Sequence, residues 1–148
     1  MKVKPLEIIP LVIAVLLIIG TAYAGKIYFK QPEIAPEDTA KKYYDWYLDY
    51  KGNPLFSGAY QGHKLLDEAV ILKADKIVNE SQGLLDIDPF LCTENNPDRV
   101  HIANPIINKR SATVTVVNFF GSEIKSHKVE LSSKWGKWKI SSINCPNN

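Results

Sequence analysis

The chain has 148 residues, 45% of them hydrophobic and 10% aromatic, and a formal net charge of only +2. This is the composition of one globular domain with an apolar core, and it excludes a disordered, low-complexity or repetitive chain. The charge is unevenly spread: residues 1–30 hold four lysines and one acid, residues 31–98 six basic residues against thirteen acids, and residues 99–148 eight against two. The two halves either neutralise each other on folding, or the basic half faces an anionic partner such as lipid head groups or an envelope polymer. Nucleic acid fits poorly, because the aromatics do not interleave with the basic residues in a binding pattern.

Residues 8–25 carry no charge and are bracketed by Lys2 and Lys4 before and by Lys26 and Lys30 after. As a helix they would reach roughly 27 Å, close to the ~30 Å of a hydrocarbon core. A permanent single-pass anchor is expected, with Tyr23, Tyr28 and Phe29 at the interface. The alternative is a cleaved signal peptide with Ala22-Tyr23-Ala24 as its small-residue box, which would leave a secreted or periplasmic protein. No cysteine follows the apolar run, which disfavours a lipoprotein. The expected organisation is therefore an anchor or signal over 1–30, a proline-containing linker over 31–36 and an extracytoplasmic domain over 37–148.

Pro36-Glu37-Asp38 reads as a helix start, with acids where the helix dipole favours them. Ala40, Tyr43, Tyr44 and Tyr47 follow at helical spacing, and Gly52-Asn53-Pro54 ends the run. A second helix is expected from His63 to Glu80, burying Leu65, Leu66, Ala69, Val70, Leu72 and Ile77. From Arg99 the period changes to two. The strand candidates are Arg99–Asn108, Ser111–Phe120, Lys125–Ser133 and Lys137–Cys145, joined by connections short enough for hairpins. Pro105 marks the first as an edge strand or a bulged one. Two helices followed by four strands predict an α+β domain, with the helices packed on a curved four-stranded antiparallel sheet.

Chemistry-bearing residues are sparse. Cys92 and Cys145 belong to no metal-ligand spacing, and are either separate thiols or one disulfide. His63, His101 and His127 are dispersed, which supports neither a metal site nor a nucleophile's base. Lys41 precedes Asp45 by four residues, the spacing of a surface ion pair. Tyr43, Tyr47, Phe90, Phe119 and Trp138 are candidates to line a pocket, or else ordinary core. Lys128, Lys137 and Lys139 alternate with apolar residues and define a candidate partner-binding face.

The helix Tyr43-Tyr44-Asp45-Trp46-Tyr47, the box Asp88-Pro89-Phe90-Leu91-Cys92 and the final strand Trp138-Lys139-Ile140-Ser141-Ser142-Ile143 resemble a family of uncharacterised bacterial envelope proteins with the nuclear transport factor 2-like (cystatin-like) cone fold. At Thr93-Glu94-Asn95 the chain departs from that family's usual continuation of the box. The resemblance implies an extracytoplasmic location and a Cys92–Cys145 disulfide, and it supplies no catalytic residues. The expected function is a membrane-tethered, non-catalytic domain that binds a protein or envelope partner, without cofactor or metal. The alternative is a small-molecule-binding domain or enzyme that uses the cone interior.

Overall fold

The computed structural model describes residues 34–146. The uncharged stretch, with its anchor or signal reading, lies outside them. Among the described residues no helix is long and apolar enough to cross a membrane.

The first helix, α1 (Pro36–Asp49), starts as its sequence dictates. Proline occupies the first turn, where its missing N–H costs least, beside Glu37 and Asp38. One face buries Ala40, Tyr43, Tyr44 and Tyr47. Burial of each large ring contributes on the order of 2–3 kcal/mol. The other face is solvated, and Lys41 meets Asp45 there at 2.6 Å. Past Tyr50 the Asn53 side-chain oxygen accepts the Leu55 and Phe56 N–H groups at 2.9 and 3.1 Å, which turns the chain back.

The second helix, α2, runs over Glu68–Glu80 and is shorter than its periodicity suggests. Residues 59–62 form a 3₁₀ turn. Leu66 bridges to Ile140 in a parallel sense, with Ile140 N–H donating to the Leu65 carbonyl and Asp67 N–H to the Ile140 carbonyl, both at 2.8 Å. Pairing to the sheet thus takes the backbone that helical spacing assigns to a first turn. It also rotates the buried stripe to Val70 and Ala74, leaving Ala69 and Leu72 exposed.

Four strands form an antiparallel meander in the order β1 (Arg99–Asn108), β2 (Ser111–Phe120), β3 (Glu123–Lys134) and β4 (Lys137–Asn144). Two irregularities bend the outer strands. On β1 the register shifts between Ala103 and Ile106, where Asn104 takes a positive φ beside Pro105. On β4 the register shifts opposite Glu130 and Leu131, leaving Ser141 without a cross-strand partner. That extra residue changes the phase of the alternation, so Ile143 returns to the buried face with Trp138 and Ile140. The helices cover the face that carries Val114, Val116, Val129 and Leu131. The domain is α+β, two helices on a four-stranded antiparallel sheet.

Candidate functional site

The Asp88–Thr93 box is where sequence motifs and buried polar groups converge. Its loop is closed by Asp88 N–H donating to the Thr93 carbonyl at 2.9 Å and Cys92 N–H donating to the Asp88 carbonyl at 2.8 Å. The Asp88 carboxylate organises the turn. Oδ1 accepts the Phe90 and Leu91 N–H groups at 2.8 and 3.0 Å, and Oδ2 accepts the Tyr47 hydroxyl at 2.7 Å. Burial pushes the Asp88 carboxyl above its ordinary value, and the three donors pull against that rise. The Tyr47 hydroxyl is raised by burial and by its acidic partner.

The loop is tied to the rest of the domain at three further points. The Asn118 amide donates to the Leu91 carbonyl at 2.7 Å, and the Tyr44 hydroxyl donates to the Phe90 carbonyl at 3.0 Å. Cys92 and Cys145 form a disulfide across 53 residues. Since the Tyr44 proton is committed to Phe90, the 3.0 Å contact between Tyr44 and His127 Nε2 requires His127 to donate from Nε2. His127 Nδ1 is then a buried acceptor without a partner. Burial lowers His127 to about 4, and the Phe90 backbone carbonyl, which favours the protonated ring, pulls against that fall.

Around this loop the rings of Tyr43, Tyr47 and Tyr60 meet Phe90 at centroid distances of 5.8, 5.4 and 5.2 Å. Of the five candidate pocket residues, Tyr43, Tyr47 and Phe90 are brought together in this cluster and Trp138 is buried in the same core. Phe119 is not with them. It pairs across from Ile124 on the opposite sheet face, with the Arg99 guanidinium 4.1 Å from its ring centroid. The aromatic side chains fill the interior themselves. A groove of about 320 Å³ lies beside them, between α2 and β4, lined by Val70, Lys73, Ala74, Ile77, Phe90 and Ile143 among others.

The three histidines stay apart. His63 stacks on Trp46 with centroids 4.1 Å apart, and burial lowers its pKa. His101 is exposed on β1, and His127 is buried on β3. Among the described residues no cluster of His, Cys, Asp or Glu could hold a metal ion.

Lys128, Lys137 and Lys139 share the sheet face turned away from the helices. Lys128 stands opposite Thr115 and Asn144, Lys137 opposite Lys134, and Lys139 opposite Ser132. Glu130, which accepts from Asn144 at 3.2 Å, interrupts the row. Sequence reasoning missed Tyr44, Asn118 and His127 as polar anchors, and it reads Trp135-Gly136 only as a hairpin connection. Trp135 is 92% exposed at the β3–β4 turn, where Trp-Gly stands in place of the usual Asn-Gly.

No family model and no curated protein matches the chain. Among solved structures the fold does have counterparts. The domain is similar to the immunity protein of a type VI effector–immunity pair. One match is to a crystal structure of the Tae3-Tai3 complex from Ralstonia pickettii in its selenomethionine form, with a TM-score of 0.60 and 16% identity over 77% of this chain and 98% of that one. A further match is to the native form of that complex, with a TM-score of 0.62 and 18% identity over 75% and 94%. At such identities the likeness is one of fold. Both matched chains come from crystals of an effector–immunity complex.

Proposed function

We propose that this chain is an immunity-type protein: a non-catalytic extracytoplasmic domain that binds an effector protein and neutralises it. The observation that carries this reading is the extent of the fold match, which takes in nearly the whole of chains held in an effector–immunity complex. The Cys92–Cys145 disulfide fits it, since such bonds persist outside the reducing cytoplasm. So does an interior packed with aromatic side chains, which leaves recognition to the surface. In this reading residues 1–30 deliver and tether the chain at the membrane and 31–36 link it. The domain over 37–148, kept within the cone-fold resemblance, presents the lysine face of Lys128, Lys137 and Lys139.

The test is neutralisation. A type VI effector from the genome that encodes this chain is exported to the periplasm of a host with and without the full chain. Growth restored by the chain, together with a complex that co-elutes in gel filtration, is the expected result. Unchanged killing and no co-elution would refute the reading.

A further inference from the structure

The end of the sheet that holds the β1–β2 and β3–β4 turns carries an unusual arrangement of exposed groups. At the β3–β4 turn both Trp135 and Gly136 have positive φ, 55° and 75°. This is the backbone of a tight primed hairpin turn, in which the first position favours Asn, Asp or Gly. Tryptophan there is disfavoured twice, by its β-carbon in a left-handed conformation and by a ring that is 92% exposed. Turn preference does not account for a tryptophan at this position, whereas a partner that covered the ring would.

The turn that carries the ring is tied to its neighbours. Lys134 and Lys137 pair directly beneath it, and Lys134 reaches the Asp67 carboxylate at 3.1 Å. Ser133 N–H donates to the Arg110 carbonyl at 2.8 Å, which locks this hairpin to the β1–β2 turn. That neighbouring turn adds Lys109, and the strand leading into it exposes Ile106 and Ile107. Among the described residues Lys109 and Lys137 have no ion-pair partner. An exposed indole at the end of the sheet that also holds Lys109 and Lys137, with exposed aliphatic side chains on the adjoining strand, has the make-up of a binding hot spot: an aromatic anchor with a charged rim.

We infer that the β3–β4 hairpin is the element that engages the effector, with Trp135 inserted in an apolar pocket of a cleft rimmed by carboxylates and Lys109 and Lys137 set against those carboxylates. This rests on the immunity reading and adds to it the contacting element and the chemistry of the effector's cleft.

The experiment measures affinity of the full chain for the effector that it neutralises in that growth test, by biolayer interferometry, with Trp135→Ala, Trp135→Asn, Lys109→Glu and Lys137→Glu. Leu84→Ala, at an exposed site in a different loop, is the control. Both Trp135 variants should weaken binding at least 100-fold. Each lysine reversal should weaken it several-fold, with a flatter salt dependence, and Leu84→Ala should change nothing. Trp135→Asn suits the turn better than tryptophan does, so its loss of binding cannot be blamed on misfolding. Effector binding within twofold of wild type for both Trp135 variants overturns the inference and leaves the immunity reading standing. No effector binding by the wild type overturns both. Two parallel measurements can also overturn it. One is sedimentation with phosphatidylglycerol vesicles that depends on Trp135 while effector binding does not. The other is a wild-type dimer that Trp135→Asn splits, again with effector affinity unchanged.

Discussion

Removing the disulfide should cost this domain about 4 kcal/mol, and the route to that figure can be tested. The cross-link spans 53 residues, from the box loop to the end of β4. Loop-closure entropy for a ring of that size is roughly 14 cal/mol/K, or about 4 kcal/mol at 25 °C. The effect acts on the unfolded chain, because the folded loop has other ties: the Asp88 carboxylate, the Tyr44 and Tyr47 hydroxyls and the Asn118 amide. Cys92→Ala with Cys145→Ala should therefore keep the native near-ultraviolet circular dichroism. The midpoint of urea unfolding should fall, and the denaturant dependence should steepen as the freed chain expands. For a domain of this size the melting temperature should drop by roughly 15–20 °C. A loss below about 1 kcal/mol would contradict the entropic account. Disappearance of the aromatic signal under native conditions would show instead that the sulfurs hold the folded loop in place.

Other consequences follow from the same loop and its surroundings. Tyr47→Phe takes one of three donors from a buried carboxylate and should cost about 1–3 kcal/mol in chemical denaturation. Burial lowers His127 to about 4 from an ordinary value of 6.5, so the unfolded state binds the extra proton between those limits. The stabilisation is full above pH 6.5 and declines as pH falls towards 4, by about 2 kcal/mol between pH 7 and pH 5. Asp88, raised by its burial, works in the opposite sense, so the test is the difference between wild type and His127→Gln across pH 4–7. Equal pH slopes would argue against a buried neutral imidazole. Trp135→Asn should raise stability by about 1 kcal/mol, since it relieves a left-handed tryptophan and gives up almost no burial. A thermal shift downward would mean that the ring packs against the domain in solution.

Much of the framework is legible in the sequence because local pattern and tertiary role agree there. The α1 stripe of Ala40, Tyr43, Tyr44 and Tyr47 and the alternation along β2 are both read directly into burial. The failures occur where two signals coincide. Leu65 and Leu66 have helical spacing, but a sheet carbonyl and N–H were waiting for that backbone, and nothing local announces it. Phe119 was grouped with the core on its aromatic character. The phase set by Val114 and Val116 puts Asn118 inside and Phe119 outside, so alternation already contained the answer. The Asp88 turn has a weaker signature, an aspartate whose side chain caps the N–H groups two and three residues on. Its ties to Tyr44 and Asn118, and the contact of Tyr44 with His127, join residues 27 to 83 positions apart and leave no local trace.

The two outer strands also determine how this protein can meet a neighbour. On β1, Pro105 lacks a ladder donor and the adjoining bulge breaks the run of free backbone groups. On β4, the Leu65–Asp67 segment already occupies the Ile140 N–H and carbonyl. Neither margin offers an uninterrupted template for strand addition, so sheet-extending self-association and fibril growth are blocked at both sides. A meander that would otherwise be prone to stick to its own copies thus turns side chains, rather than a continuous row of free backbone groups, toward its surroundings at both margins.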